Sequence, residues 1–213
     1  MRGRPYYEEP EYHTYLLSRD RRDLFPRHEI LSQIHWRGVK NLLDFGMGNG
    51  YFLSTFYEFI ESDCEIWGAE AQEIMIDQAL QRKVHEDLKR FIPFYIERTE
   101  HPLLPDWIPV MDLVFCSCVL STFADPSLAV RGVGHAMKPD GKMIVIDWEK
   151  IPAPSGPELE QKVSSDRMRF FIEDAGYQVT RTLRTNRHIY AFEIEKGDEA
   201  RKDTDTAFLY LDD

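Results

Sequence analysis

The chain has 213 residues, with 26 lysines and arginines against 37 aspartates and glutamates, and a formal net charge of −11. That length suffices for one α/β domain with a full core, and the acidic balance argues against a nucleic-acid backbone or an anionic membrane surface as the main partner. No apolar run is long enough to span a bilayer, the first residues lack the apolar core of a signal peptide, and the three cysteines show no pairing pattern, so we expect a cytoplasmic protein.

Three regions are predicted along the chain: an aromatic and charged arm or lid over residues 1–28, an α/β domain over residues 29–195, and a charged tail over residues 196–213. The arm has no clear period, and it either covers an acceptor pocket or packs its tyrosines over helices and edges. Its aromatic and basic residues include Tyr6, Tyr7, Tyr12, His13, Tyr15, Arg19, Arg21 and Arg22. In the tail, the segment Phe208-Leu209-Tyr210-Leu211 is apolar enough to dock.

Apolar runs bounded by turn residues predict strands at residues 41–45, 65–69, 94–97, 111–116 and 143–147. Helices are predicted at residues 28–36, 51–60, 73–88, 126–137 and 165–175. The helix at 73–88 carries Ile76, Leu80, Val84 and Leu88 as one apolar stripe. Pro139-Asp140-Gly141 predicts a turn, and strands 177–184 and 187–195, joined at Thr185-Asn186, form a closing hairpin. The pattern predicts an α/β fold: a doubly wound, Rossmann-like seven-stranded sheet, mostly parallel with an antiparallel last strand.

The most informative stretch is residues 42–50, which read Leu-Leu-Asp-Phe-Gly-Met-Gly-Asn-Gly. A buried strand, a glycine loop and a helix in succession are the usual place for a nucleotide-like cofactor. The G-x-G-x-G spacing differs from the dinucleotide G-x-G-x-x-G, and Asp44 would repel a pyrophosphate while suiting an ammonium or sulfonium group. S-adenosylmethionine carries both cations and no phosphate, so it is the predicted cofactor.

A second carboxylate, Glu70, ends the second predicted strand. It can accept hydrogen bonds from two ribose hydroxyls, in NAD as well as in S-adenosylmethionine. The alternative for this residue is a solvated carboxylate at a strand end, and the glycine loop in register favours the ribose role.

At several places in the right order the chain resembles the class I S-adenosylmethionine-dependent methyltransferases, in particular the small-molecule group that includes ubiquinone/menaquinone-biosynthesis-like enzymes. The matching segments are Leu42 to Gly50, Trp67-Gly68-Ala69-Glu70, Glu100 with Leu104-Pro105, residues 111–116 with Val119-Leu120, and Lys138-Pro139-Asp140-Gly141-Lys142. The resemblance covers about residues 28–195 and implies methyl transfer to a small-molecule acceptor.

The resemblance implies cofactor-binding roles for matched positions. Asp44 would lie near the methionine amino group, and Glu70 would hold the ribose. The remaining implied positions are Gly46, Met47, Gly48 and Gly50 around methionine and ribose, Ala71, Glu100 and His101 around the adenine, and Cys116 and Ser117 on the methionine side. One departure matters: many relatives carry a histidine pair where this chain has Ser121-Thr122. No general base is therefore predicted.

The sequence is compatible with two other functions and with one other kind of site. A nicotinamide-dependent oxidoreductase is disfavoured by the loop spacing, by Asp44, and by the absence of a Tyr-x-x-x-Lys pair; a non-catalytic S-adenosylmethionine-binding protein stays open.

Cys116 and Cys118 lie two apart and would point to one side of a strand, yet such a pair is more often two small buried residues than a metal or metalloid site, so no metal is predicted. Asp147, at the end of the fifth strand, either orients an acceptor or caps the following loop. The acceptor and the oligomeric state stay open.

Overall fold

Seven strands form one sheet in the computed structural model, which describes residues 14–16, 18–198 and 200. The strands are β1 (Asn41–Phe45), β2 (Glu65–Glu70), β3 (Phe91–Tyr95), β4 (Met111–Ser117), β5 (Met137–Trp148), β6 (Tyr177–Thr182) and β7 (Ile189–Lys196). Their spatial order is β3-β2-β1-β4-β5-β7-β6. The first five pair in parallel, whereas β7 runs antiparallel to both β5 and β6. The predicted mostly parallel sheet with an antiparallel last strand is confirmed.

Helices cover both faces of this sheet. They are α1 (Arg19–Leu24), α2 (Arg27–Leu31), α3 (Leu53–Phe56), α4 (Glu73–His85), α5 (Pro126–Gly134) and α6 (Ser165–Asp174), with short 3₁₀ turns at Leu120–Thr122 and Leu159–Gln161. Alternate strand residues feed two core clusters: Leu42 packs in one and Leu43 in the other. Because both faces are covered, the central strands are apolar almost throughout, as expected for parallel strands.

The strand order reverses between β1 and β4. From β1 the chain moves outward to β2 and β3, and it then returns to the other side of β1 as β4. In such sheets the crevice beyond the carboxyl ends of the strands, at the point of reversal, is where ligands bind. The fold therefore places the ends of β1, β2 and β4 around one space.

Several predicted boundaries differ from the observed ones. The third strand lies at Phe91–Tyr95 rather than 94–97, and Pro139-Asp140-Gly141 falls within the bounds of β5, at an irregularity where Gly141 comes back close to the Lys138 backbone. A register shift between Met111 and Leu113 of β4 accommodates this irregular start of β5. The link from β6 to β7 spans residues 183–188 rather than two residues. The helices predicted at 28–36 and 51–60 are shorter, because turns complete both segments.

The predicted apolar stripe on the helix at 73–88 is buried only at its two ends, since Ile76 packs against the core and Leu88, beyond the end of α4, is buried. Met75 and Ala79 are the buried residues of α4, whereas Leu80 is 39% exposed and Val84 is 82% exposed. The four-residue spacing was real, but a helix presents more than one row with that spacing, and a row one position away faces the sheet. The buried row consists of a methionine and an alanine, which stand out less in the sequence than the row of isoleucine, leucine and valine.

The N-terminal arm contributes to the core where the structure describes it. Phe25 at the end of α1 is fully buried and meets Trp148 edge-on, with ring centres 4.9 Å apart. Tyr6, Tyr7, Tyr12 and His13, and the tail segment 208–211, lie outside the described residues. Within the described part, no helix has the length and apolarity needed to cross a membrane.

Candidate functional site

A cleft lies at the carboxyl ends of β1, β2 and β4, with about 850 Å³ of space that is partly open to solvent. Its walls are mainly apolar, with a few carboxyl and cationic groups placed among them. The lining residues are Leu16, Arg21, Asp44, Phe45, Gly46, Met47, Gly48, Tyr51, Phe52, Glu70, Ala71, Gln72, Met75, Ile96, Glu97, Arg98, Pro102, Ser117, Cys118, Val119, Thr122 and Phe123.

The glycine loop after β1 forms one side of the cavity. Gly46, Gly48 and Gly50 have φ values of +70°, +55° and +77°, so each occupies the left-handed region that other residues adopt at a cost. A Cβ on Gly46 would lie 2.5 Å from Val119 Cγ2. The loop thus needs glycine at this position for both its backbone conformation and its close approach to the segment after β4.

Glu70 is fixed by the loop that it faces. One carboxylate oxygen accepts the Gly48 N–H at 2.9 Å, and the other accepts the N–H groups of Ala71 and Gln72 at 2.8 and 3.0 Å. Burial raises the pKa of Glu70, and these N–H donors oppose that rise. The carboxylate lines the cavity in a fixed orientation, with both oxygens engaged from the protein side and capacity for a further donor.

Asp44 supplies a second, deeper carboxyl group. Its side chain is only 4% exposed, and burial, together with the nearby Glu70 charge, raises its pKa to about 8. Near neutral pH the free protein therefore holds much of this group as the neutral acid. A cation bound in the cavity would favour the carboxylate form.

The end of β4 separates the two cysteines of the C-x-C pair. Cys116 packs in one core cluster and does not line the cavity, whereas Cys118 belongs to the other cluster and lines it beside Ser117. Cys118 has φ +55°, unusual for a residue other than glycine, and its N–H donates to the Ile146 carbonyl at 2.8 Å. The prediction that both thiols point to one side is wrong, because the chain turns after the strand ends at Ser117.

Neither thiol has the properties of a reactive thiolate or a metal ligand. Burial raises the pKa of Cys118 to about 12 and that of Cys116 well above its ordinary value. Among the described residues, no group of three or more His, Cys, Asp or Glu side chains could hold a metal ion.

Some predicted site residues lie away from the cavity. Glu100 is exposed and accepts the Ala124 N–H at 3.1 Å, and the exposed His101 contacts the ring of His135 at 6.3 Å between centres. Ile96, Glu97 and Arg98 line the cavity instead, because they follow β3 directly at its carboxyl end.

Gly50 also lies behind the cavity wall rather than in it. Its carbonyl accepts a hydrogen bond from the Arg82 guanidinium, which also donates to Ser54 Oγ at 2.7 Å. Arg82 of α4 thus fixes the far end of the glycine loop. Nothing in the sequence singled it out, since an arginine on a helix is usually a solvated side chain.

The N-terminal arm closes the remaining side of the cavity. Leu16 packs over the loop, 3.3 Å from where a Cβ of Gly48 would lie, and the buried Arg21 of α1 lines the wall beside it. Tyr15 Oη is 3.2 Å from Ser155 Oγ in the loop after β5. The described part of the arm thus lines the cavity with Leu16 and Arg21 and packs Tyr15 against the core, while cover over an acceptor pocket stays a prediction.

Asp147 lies under the loop that follows β4 rather than in the cavity. It is 2% exposed and accepts the Trp148 N–H at 2.8 Å. Burial raises its pKa to about 6, against hydrogen bonds from Ser121 and the charge of Arg21. Asp147 is therefore tied to the Ser121-Thr122 segment and to its own strand end.

Comparison with known proteins finds similarity to methyltransferases at the level of family, sequence and fold. Residues 38–197 match the family described as "Methyltransferase domain". A curated relative, thiol S-methyltransferase TMT1B of Rattus norvegicus, is 27% identical over 139 residues, which are 62% of this chain and 53% of that protein. The matched part thus spans about half the length of the curated relative.

Solved structures share the fold. A SAM-dependent methyltransferase from Aquifex aeolicus has a TM-score of 0.78 at 21% identity, covering 87% of this chain and 97% of that one. The O-methyltransferase NcsB1 from neocarzinostatin biosynthesis, solved with S-adenosyl-L-homocysteine and 1,4-dihydroxy-2-naphthoic acid, has a TM-score of 0.69 at 17% identity, covering 87% of this chain and 57% of that one.

Proposed function

The chain belongs to the methyltransferase domain family, and from that premise we propose that it transfers the methyl group of S-adenosylmethionine to the sulfur of a small thiol. The choice of S-adenosylmethionine as methyl donor rests on the fixed orientation of the Glu70 carboxylate. A carboxylate held by backbone donors on the glycine loop and on the start of α4 fits a ribose diol. The cavity needs no phosphate-binding group for this donor, and Asp44 is suited to its ammonium group.

In the proposed complex the loop residues Gly46, Met47 and Gly48 lie against the methionine and ribose. Ala71 and the segment 96–98 flank the adenine, because both line the cavity at its β2 and β3 side. Ser117 is nearest the methionine side from β4. The roles foreseen for Gly50, Glu100, His101 and Cys116 stay predictions, and contact of Glu100 or His101 with the adenine would require the loop after β3 to move toward the cavity.

The acceptor half of the proposal rests on the curated relative, which is named a thiol S-methyltransferase, and on the chemistry of the cavity. In the reaction a thiolate lone pair forms a bond to the methyl carbon, while the bond to the sulfonium sulfur breaks and its electron pair stays on that sulfur. The thiol proton leaves to solvent before the attack. A free thiol has a pKa of about 8.5, so an appreciable thiolate fraction exists without a general base.

This chemistry depends on orientation and exclusion of water. Holding the two reactants in line can lower the barrier by about 7–11 kcal/mol in favourable cases. The apolar walls and the covering arm supply such a setting, and Ser121-Thr122 need not act as a base for a thiolate.

The test is an acceptor panel with isotopically methyl-labelled S-adenosylmethionine. Small alkyl and aryl thiols are compared with matched alcohols and phenols, and both S-adenosylhomocysteine and the labelled product are quantified by mass spectrometry. We expect label on sulfur, with rates that rise with pH as the thiol ionises. Transfer to phenols alone would contradict the thiol proposal and favour the quinone-biosynthesis-like group that the sequence resembles.

A further inference from the structure

Arg21 is a buried cation in the wall of the cavity. Its side chain is 3% exposed, and its guanidinium carbon lies 4.6 Å from the centre of the Tyr51 ring and 4.8 Å from that of Phe25. Tyr51 follows the glycine loop, and its hydroxyl donates to the Phe25 carbonyl at 3.0 Å. Two rings therefore hold the guanidinium plane in a defined place beside the loop.

Arg21 and Asp44 both line the cavity, and their charges act on different groups. Arg21 lowers the pKa values of Cys118 and Asp147 against the effect of burial. Asp44 responds to burial and to Glu70, and Arg21 is not among the groups that shift its pKa. One cavity thus carries a buried carboxyl group and a buried guanidinium that do not neutralise each other.

An α-amino acid matches two such groups, because it carries an ammonium and a carboxylate on one carbon. A guanidinium is the side chain best suited to a carboxylate, since its planar fork donates two parallel hydrogen bonds. We propose that Arg21 binds the carboxylate of the methionine end of the donor, while Asp44 faces its ammonium group. The inference rests on the proposed function and assigns a residue that neither the glycine loop nor the sequence resemblance pointed to.

A donor bound to Arg21 would hold α1 closed over its own binding site. Arg21 belongs to α1, which is anchored through Phe25 to Trp148 at the end of β5. Leu16, just before α1, rests on the glycine loop at Gly48. A donor carboxylate bound to Arg21 would tie α1 to the loop over the methyl group, and so exclude water from the reacting atoms.

Calorimetry with two ligands tests the assignment. S-adenosylhomocysteine is compared with its decarboxylated analogue, which lacks only the carboxylate. We expect the wild-type protein to bind S-adenosylhomocysteine roughly 10- to 100-fold more tightly, as a charged hydrogen-bonded pair implies. Arg21→Met should abolish that preference and leave the affinity for the analogue unchanged, and Arg21→Lys should retain part of it. Arg22→Met, an exposed neighbour on the same helix, is the matched control and should keep the full preference.

The outcomes separate this proposal from the proposed function. A wild-type protein that binds both ligands equally, or an Arg21→Met protein that keeps the preference, overturns the assignment and leaves the donor proposal standing. An Arg21→Met protein in which only the KM of the acceptor rises assigns Arg21 to the acceptor and also overturns it. A wild-type protein that binds neither ligand overturns the donor proposal together with this one.

A second measurement needs no variant. Hydrogen exchange of the α1 backbone amides should slow on adding S-adenosylhomocysteine and stay unchanged on adding the decarboxylated analogue at equal occupancy. Equal protection by both ligands would contradict the role of Arg21, whatever the stability of the Arg21→Met protein.

Discussion

Gly46 combines a left-handed backbone with a close contact, and each has a separate consequence. In Gly46→Ala the new methyl group would lie 2.5 Å from Val119 Cγ2, at φ +70°. We expect S-adenosylhomocysteine to bind at least tenfold more weakly, because the loop must shift. The backbone strain alone should lower the free energy of unfolding by about 1–2 kcal/mol.

Gly38→Ala is the matched control for that measurement. Gly38 has φ +82° with nothing within 4 Å of the added methyl group. It should lose only the ~1–2 kcal/mol due to backbone strain in urea denaturation, while calorimetry shows unchanged ligand affinity. Equal affinity losses in the two variants would mean that the weaker binding reports stability rather than the shape of the loop.

Glu70→Gln tests the ribose-binding role. The amide retains one oxygen, so it cannot accept from Gly48 and from the Ala71–Gln72 pair at once. We expect the affinity for S-adenosylhomocysteine to fall by about 10- to 100-fold, the range for hydrogen bonds to a charged group. Glu73→Gln makes the same change on an exposed side chain of α4, outside the cavity lining, and should bind as wild type in the same titration.

Asp44 is predicted to lower the free energy of unfolding while it strengthens binding of the donor. Its pKa is raised from 3.8 to about 8 in the folded state, so the unfolded state ionises first and this group destabilises the fold increasingly as pH rises between those values. Asp44→Asn should therefore unfold at higher urea concentration than wild type at pH 8, with a difference that shrinks toward pH 4. The same variant should bind S-adenosylhomocysteine more weakly.

The pH dependence of donor binding supplies the complementary measurement. If Asp44 must ionise to face an ammonium group, wild-type affinity should increase as pH rises from 6.5 toward the pKa of about 8. In Asp44→Asn that increase should be absent. A wild-type affinity that is flat across this range would contradict the assigned contact.

At the scale of elements, α4 offers a direct check on which face is buried. Met75→Ala should cost about 2–5 kcal/mol of unfolding free energy, because the side chain is 1% exposed and its removal leaves a cavity. Val84→Ala, on the exposed face, should stay within ~0.5 kcal/mol. Urea denaturation of both variants measures this, and a larger loss at Val84 than at Met75 would contradict this assignment of the buried face.

The sequence predicted the elements whose signals are local and missed those that tertiary contacts decide. β1 was predicted to the residue, because its apolar run ends at a glycine loop. The helix at 73–88 was predicted with the wrong buried row, since side-chain spacing alone does not say which row meets the sheet. Residues 139–141 were predicted as a turn before the strand, and they form an irregularity inside it: β5 pairs with β4 at Met137 and next at Lys142.

Some residues of the candidate site could likewise be predicted from local sequence, and others could not. The glycine loop and Glu70 were visible because their chemistry is fixed by residue type and spacing. Cys118 adopts a left-handed backbone without being glycine, and the positions of residues 96–98 depend on where β3 ends, so neither left a signal in the sequence. Arg21 was hidden among several arginines of an arm without periodicity.

At the scale of the whole molecule, one sheet brings together groups that are far apart in the chain. Asp44, Glu70 and Ser117 come from three strands, and Arg21 comes from the arm that precedes them all. The acidic surface, with a net charge of −11, does not determine the charge inside the cavity, where Arg21 offers a buried cation. The acceptor is therefore expected to be selected by the arm and by the loops after β4 and β5.

The most direct test of the central claim is methyl transfer itself. Purified protein is incubated with methyl-labelled S-adenosylmethionine and a small thiol, and both products are quantified over time. We predict one S-adenosylhomocysteine for each labelled thioether, with Glu70→Gln reducing the rate at limiting donor. Absence of labelled thioether, together with no binding of S-adenosylhomocysteine in calorimetry, would contradict the account.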